Sequence, residues 1–392
     1  MQLSVIIISY NAKYFLEQCL YAAVKACATI EAEIYVVDNA SADTGIEYLQ
    51  PQFPSIHFIA NTRNVGFAKA NNQALQMASG EYILFLNPDT ILAEDTLTTC
   101  IRFMETDREA GACGVHMIDG SGRFLPESKR GFPSPLTSFY KLAGFTALFP
   151  RSPRFARYYL GHLSEQQDGE VDVLAGAFFF TRRKILQRIG GFDEAFFMYG
   201  EDIDLSYRIQ QAGYKNYYLA QTSIIHFKGE STPKRSPQAI RHFYGAMDIF
   251  VKKHYKGIEA NLFSLFIQLL IRLKLVSTKT DKKNRVSRAK GIPVPTLLVG
   301  EPRGWEEVQA ILIRNKVPER SIRTVSVNAD LQDTLSEQSP EEIVFCEGGD
   351  LSFKKIIQWM QTPPAALFKV HAAGSSSIVG SNQKEAQGDA LS

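Results

Sequence analysis

Asn87-Pro88-Asp89 is the first place in this chain where residue type and position together suggest chemistry. The apolar run Ile83 to Leu86 suits a strand covered on both faces. Pro88 lacks an N–H and biases Asn87 away from helix, so the strand stops there. Asp89 is thereby presented at the C-terminal end of a central strand, where open α/β sheets bind their ligands. A carboxylate so placed can hold a divalent cation, Mg2+ or Mn2+, and the cation can hold a diphosphate. The same Asp could instead cap the next helix.

A second acidic group is Glu201-Asp202-Ile203-Asp204. Close carboxylates repel and raise at least one pKa, unless a helix N-terminus compensates through its dipole and free N–H groups. One of them can then act as a general base. Acids are also common at solvated helix starts, but Phe196-Phe197-Met198-Tyr199 just before them suggests a semi-enclosed site. His226 ends the run Ile224-Ile225 and is a candidate neutral partner for Asp89 on a metal.

Two further strand ends are polar: Ser9-Tyr10-Asn11 and Asp38-Asn39-Ala40-Ser41. Each alone is ordinary turn chemistry, but with Asn87-Pro88-Asp89 they form a polar edge on one sheet. Asp38 can accept hydrogen bonds from a base or ribose. In the connecting loop, Arg63 offers a planar donor fork, and Gly66 permits close approach before a helix N-terminus. Asn64, Asn71 and Asn87 complete the candidate donor contacts.

The elements that position these residues alternate short strands with helical patterns, which predicts an α/β fold with a mainly parallel sheet flanked by helices. Leu3 to Ser9, Glu33 to Val37, Ile56 to Ala60 and the strand before Asp89 are the strands. Helices are expected after the first strand, through Ala68 to Ala78, near Leu97 to Met104 and over Glu201 to Ala212. Val171 to Thr181 is another apolar run, interrupted by Gly176. No G-x-G-x-x-G opens the first helix, which disfavours a dinucleotide site. The pattern from Gly120 to Gly169 is weak, and loops facing the substrate around Arg130, Phe132 and Pro133 are expected there.

These readings divide the chain into residues 1–255, a basic amphipathic helix and linker at 256–292, a small α/β unit at 293–372 and a loose tail at 373–392. Asn261, Ser264, Gln268 and Arg272 form a narrow polar stripe on an otherwise apolar helix. With the cations of 259–290 it suits an anionic membrane surface, or equally a helix packed between domains.

With 392 residues and 45% hydrophobic content, the chain has ample core for two or three domains. Five scattered cysteines without a C-x-x-C pair argue against a disulfide framework or zinc site and for a reducing compartment. No signal peptide or membrane-spanning stretch is read, so a cytoplasmic location is expected, peripheral on the inner face of the membrane at most. A net charge of +2 without aromatic stacking motifs disfavours nucleic acid.

The ordered set Ser9-Tyr10-Asn11, Val37-Asp38-Asn39-Ala40-Ser41, Asn64-Val65-Gly66-Phe67-Ala68, Leu86-Asn87-Pro88-Asp89 and Gly200-Glu201-Asp202-Ile203-Asp204-Leu205 resembles family 2 glycosyltransferases. The similarity spans roughly residues 1–250 and is greatest to the rhamnosyltransferase-like branch of bacterial cell-surface polysaccharide synthesis. The resemblance implies a GT-A fold, an inverting mechanism, a nucleoside-diphosphate sugar donor and a glycan acceptor, read here as lipid-linked. By position, it implies that Asp38 contacts the nucleoside and that Asp89 is the metal-binding Asp of a D-x-D motif. Asp202, with Glu201 beside it, becomes the base, and His226 a metal or diphosphate ligand. Asn87 departs from a strict D-x-D. Residues 294–372 resemble the small Rossmann-like domain of polyprenyl-phosphate sugar phosphotransferases. Competing readings are a sugar-nucleotide pyrophosphorylase, which would want a Gly-rich basic loop after the first strand, and a catalytically silent nucleotide-sugar-binding scaffold.

Overall fold

The computed structural model describes residues 1–134, 137, 140, 144–227, 237–255, 295–317, 322–327, 340–362, 366–381 and 389–392. Strand β1 (Leu3–Ser9) is followed by helix α1 (Lys13–Ala26), β2 (Ala32–Asp38), a short helix α2 (Gly45–Leu49) and β3 (His57–Ala60). Helix α3 (Phe67–Met77), β4 (Tyr82–Leu86), β5 (Thr90–Leu92), α4 (Thr96–Thr106) and β6 (Ala110–Ile118) come next. The strands form because their apolar residues feed two cores alternately, as a period of two requires. Leu3, Val5 and Ile7 of β1 pack with Leu16 and Leu20 on one side of the sheet. Ile6 and Ile8 pack with Ala70 and Ala74 of α3 on the other.

β7 (Gly169–Val171), β8 (Phe178–Arg182) and β9 (Lys215–His226) complete a nine-stranded sheet of order β3-β2-β1-β4-β8-β6-β9-β5, with β7 paired to β9. The ladders among β3, β2, β1 and β4 are parallel, as is β6 with β9. β8 runs antiparallel to both β4 and β6. The parallel half expected from the sequence is thus joined to a mixed half, and the joint lies beside the strand that leads to Asp89. The apolar run from Val171 to Thr181 divides between β7 and β8, because Phe178 N closes a turn on Ala175 O at 3.2 Å.

A second, six-stranded sheet of order β11-β10-β12-β13-β14-β15 is built from β10 (Thr296–Val299), β11 (Ile322–Val325), β12 (Glu342–Cys346), β13 (Leu367–His371), β14 (Ile378–Gly380) and β15 (Asp389–Leu391). The expectation of a loose tail after residue 372 fails here. β14 and β15 extend the sheet antiparallel, and Ser375 and Ser377 are buried. The physical reason is Gln18 of α1, whose amide donates to Ser375 Oγ at 2.8 Å and Ser377 O at 3.0 Å. Small polar residues looked solvated in sequence but have partners from the other domain.

One apolar cluster crosses between the two sheets, joining Phe15, Ile91, Ile225 and Phe227 to Phe345 and Phe353. Glu94 also receives the N–H groups of Phe353 (2.7 Å) and Lys354 (2.9 Å) at the start of the helix Phe353–Met360. The smaller domain is therefore fastened to the strands that flank Asp89. Among the described residues no helix is long and apolar enough to cross a membrane. The stripe at 261–272 and the basic stretch at 259–290 lie outside the described residues, except that both readings of them stand as sequence expectations.

Candidate active site

At one end of the site, strand pairing brings two separated residues together. β5 pairs with β9 so that Thr90 lies opposite His226, and Phe227 N donates to Asp89 O at 3.0 Å. His226 Nε2 then lies 3.3 Å from Asp89 Oδ1 and 3.4 Å from the Asn87 amide nitrogen. All three groups converge on one point, at distances long for good hydrogen bonds. His226 Nδ1 is buried with no hydrogen-bond partner. Asp89 and His226 are both buried. Among the described residues, no set of three His, Cys, Asp or Glu side chains could hold a metal. Among the described residues, Asp89 and His226 are the side chains placed to ligate an ion here.

The ends of β1 and β2 are tied by polar side chains. Asn11, at φ +52°, donates its N–H to Ser41 Oγ (2.8 Å) and accepts Ala42 N–H at Oδ1 (2.8 Å). Asn39 N donates to Ser9 O at 2.8 Å. Asp38 Oδ2 accepts from Ser41 N at 2.9 Å, and its Oδ1 accepts from the Ser41 hydroxyl. Asp38 thus closes its own turn, the local chemistry that competes with ligand binding at any strand-end Asp. Tyr10 is half-buried and Arg63 is exposed.

Asn39, which carried no role in the sequence reading, organises the next loop. Its Nδ2 donates to Asn64 Oδ1 at 2.9 Å, and its Oδ1 accepts from Val65 N at 2.9 Å. Asn64 Oδ1 also takes Gly66 N–H at 2.9 Å. Gly66 has φ +89°, and a Cβ there would lie 2.7 Å from Phe197 O and 2.9 Å from its ring. The close approach expected for a phosphate at Gly66 is instead made by Phe197, because Phe67 N donates to Phe197 O at 2.8 Å. Asn71 is buried and donates to Phe67 O at 2.9 Å, which leaves its Oδ1 without a partner.

The acidic end begins with Gly200, whose φ of +80° starts the helix Glu201–Gln211. Asp202 Oδ2 accepts from Arg130 Nη2 at 2.5 Å and from Gly176 N at 3.1 Å. Burial alone would lower the pKa of Arg130, but the adjacent Asp202 carboxylate outweighs it and the guanidinium is held more firmly charged than usual. Glu201 has no such partner. Burial, reinforced by the Asp202 charge, pushes its carboxyl up to about 8, and its Oε2 is buried without a hydrogen bond. Asp204 is different again. Burial opposes its charge, yet Arg208 (2.7 Å), Lys253 (2.8 Å) and His254 (2.6 Å) surround it and keep its pKa below the usual value. Lys253 and His254 come from the helix Pro237–His254, so Asp204 clamps that helix over the site.

The two ends are linked through the turn before β8. Gly176 N binds Asp202, and the next carbonyl, Ala177 O, accepts Asn87 N at 3.0 Å. The interruption at Gly176 therefore serves the site. A cavity of about 100 Å³ opens over Asp202, lined by Arg130, Pro133, Tyr158, Tyr199 and Phe243 among others. A larger cavity of about 310 Å³, between Glu81, Arg108 and Lys184, lies at the opposite end of β4 and includes none of these residues. Of the cavity wall, Arg130 and Pro133 were expected from the sequence. Tyr158, Phe243 and Met247 were not, since no periodicity or spacing ties them to Asp202.

The family model described as glycosyl transferase family 2 matches residues 4–190. Over 267 residues the chain is 26% identical to the N-acetylglucosaminyl-diphospho-decaprenol L-rhamnosyltransferase of Mycobacterium tuberculosis, which covers 65% of this chain and 85% of that protein. It is 33% identical over 169 residues to rhamnosyltransferase WbbL of Escherichia coli, covering 41% of this chain and 61% of that protein. Among solved structures, the mannosyltransferase PcManGT of Pyrobaculum calidifontis in complex with GDP-Man and Mn2+ has a TM-score of 0.45 at 17% identity, over 72% of this chain and 76% of that one. Over residues 4–190, which carry Asp38, Asn87 and Asp89, the chain matches the family 2 glycosyltransferases, and its relatives include proteins named as rhamnosyltransferases.

Proposed function

We propose that the protein is an inverting glycosyltransferase that moves a sugar, a deoxyhexose by analogy with its relatives, from a nucleoside-diphosphate sugar to a hydroxyl of a lipid-linked glycan at the cytoplasmic membrane face. The observation that carries this reading is Asp202, held by Arg130 and Gly176 at the floor of an aromatic-walled cavity and joined through Gly176-Ala177 to Asn87. The reading is supported further by two relatives named as rhamnosyltransferases, one of them for an N-acetylglucosaminyl-diphospho-decaprenol acceptor.

In this mechanism an acceptor hydroxyl enters the cavity beside Asp202. Asp202 takes its proton as the oxygen forms a bond to the anomeric carbon, and the bond from that carbon to the diphosphate breaks. Attack from the face opposite the leaving group inverts the anomeric centre. Asp38, through acceptor sites that its turn leaves open, and Asn11, Asn64 and Arg63 orient the nucleotide.

Asp89 and His226 would hold a divalent cation, Mg2+ or Mn2+. Their 3.3 Å separation and the lone pairs that a carboxylate and a neutral imidazole offer would suit such an ion. A cation bound there neutralises charge on the leaving diphosphate. With Asn87 uncharged, diphosphate oxygens would supply further ligands, and affinity for the ion alone would be weak.

The test uses Asp202→Asn. The variant is expected to retain thermal stabilisation by the donor nucleotide and to lose sugar transfer, while proton NMR of the wild-type product shows an inverted anomeric centre. Transfer at the wild-type rate by Asp202→Asn, or retention of configuration, would sink the assignment.

A further inference from the structure

Between Glu127 and Glu165 the sequence contains no Asp or Glu but carries Lys129, Arg130, Lys141, Arg151, Arg154 and Arg157. Within this stretch a single helical turn, Phe145–Leu148, leads to the exposed run 147–151. Leu148 is 71% exposed and Phe149 49% exposed, two large apolar side chains side by side in solvent. Their placement is held from below by rings. Phe155 stacks on Phe145 at 5.5 Å, meets Tyr140 edge-on at 4.9 Å and supports Phe149 at 5.3 Å. Arg154 donates to Tyr140 Oη at 3.2 Å. A rigid apolar tip is therefore presented among exposed Arg151, Arg154 and Arg157.

The other side of this segment reaches the site. Tyr158 lines the cavity over Asp202, and its carbonyl accepts Gly131 N at 3.0 Å, next to the Arg130 that binds Asp202. Exposed apolar tips surrounded by cations suit one environment above others, the boundary layer of an anionic bilayer. Leucine and phenylalanine enter the acyl boundary while the guanidinium groups meet lipid phosphates.

We propose that the tip at Leu148 and Phe149, with Arg151, Arg154 and Arg157, docks the enzyme on an anionic lipid bilayer and sets the cavity over Asp202 facing that surface. The inference rests on the lipid-linked acceptor proposed above, because a polyprenyl-diphosphate sugar stays at the headgroup layer and the enzyme must come to it. The partner is the lipid surface itself, and the evidence for that choice is charge complementarity along a stretch with no acidic residue.

The test is flotation of the full-length chain with vesicles of phosphatidylcholine alone or mixed with phosphatidylglycerol, without donor or acceptor. The wild-type chain is expected to float with the anionic vesicles only. Leu148→Asp combined with Phe149→Asp lowers the bound fraction by at least about tenfold, and Arg151→Glu lowers it about fivefold or more, on anionic vesicles alone. Both variants keep wild-type transfer to a short soluble acceptor. Absence of flotation by the wild-type chain overturns the inference, as does unchanged flotation by the Leu148→Asp, Phe149→Asp variant, which places lipid binding elsewhere in the chain. A wild-type dimer that dissociates on these substitutions and does not float identifies a second copy as the occupant and also overturns it. Loss of transfer with normal flotation would count against the proposed function and leave the docking surface standing.

Discussion

The Asp89 end and the Asp202 end of the site are built by opposite means. At Asp89, main-chain pairing does the positioning: β5 lies on β9, and His226 arrives by register. At Asp202, groups from distant segments do it: the Arg130 side chain, the Gly176 amide and the wall from the helix Pro237–His254. A backbone-built site tolerates change in its side chains better than one held by a buried ion pair, because the ladder persists when a side chain is lost. Substitutions at the acidic end should therefore have the larger effects. The largest is Asp202→Asn, expected to cut kcat per folded molecule by about 10²–10⁴ and also to lower stability, since it leaves the buried Arg130 without its carboxylate, read by steady-state transfer beside a denaturation curve. A variant whose rate per folded molecule stayed at the wild-type level would mean that Asp202 is a structural acid like Asp204.

Asp204 sharpens the contrast within one helix. It is fully buried and surrounded by Arg208, Lys253 and His254. Removing it leaves Arg208 and Lys253 uncompensated, which costs about 3–5 kcal/mol when one partner of a buried pair is lost. Asp204→Ala is expected to show that loss in chemical denaturation. Its residual transfer rate, measured on the folded fraction, should fall far less than that of Asp202→Asn. Equal losses of rate per folded molecule would show that the helix Pro237–His254 shapes the cavity as much as Asp202 does.

The same contrast explains what could be read without a structure. The polar strand ends were readable because an apolar run that stops at Pro88 has one edge, and that edge is where Asp89 must lie. Pairing Asp89 with His226 rested on residue type and on family resemblance; the physical cause, the β5–β9 register, appears only in the fold. The three carboxylates of Glu201, Asp202 and Asp204 looked equivalent in sequence, but Asp202 is set apart by Arg130, Asp204 by Arg208, Lys253 and His254, and Glu201 by a buried oxygen without a hydrogen bond. Arg208 lies one helical turn after Asp204 and was open to periodicity, but Arg130, Lys253 and His254 lie outside helical or strand spacing of their acids, so no periodicity could reveal them. Gly66 misled for a related reason. Its need for positive φ was correctly read as close approach, but the approaching group is Phe197, more than a hundred residues away in sequence.

Glu201 provides a pH test of the acidic end. Its carboxyl is raised from the ordinary 4.5 to about 8 by burial and by Asp202. Between those values the folded chain holds a proton that the unfolded chain has released, so stability falls as pH rises. The contribution is fully present below about pH 4.5 and is lost as pH passes through about 8. Glu201→Gln is expected to flatten this slope, gaining on the order of a few kcal/mol or less relative to wild type at the alkaline end. Denaturation curves across the window check it; identical slopes in both proteins would remove Glu201 as the cause.

At the backbone-built end the expected effects are smaller. Asn87 lies 3.4 Å from His226 Nε2, beside Asp89, and contributes no charge. If ion binding there depends on diphosphate oxygens, Asn87→Asp supplies part of what the nucleotide otherwise brings. Ligand charge count sets cation affinity. The variant should bind Mn2+ alone roughly three- to tenfold more tightly, while the gain shrinks once a nucleoside diphosphate is present. Titration of Mn2+ by electron paramagnetic resonance, with and without the nucleotide, separates the two cases. An equal gain in both conditions would show that protein ligands, not the substrate, set the affinity. The Asp89 end would then be a side-chain-built site like its neighbour, and the contrast between the two would disappear.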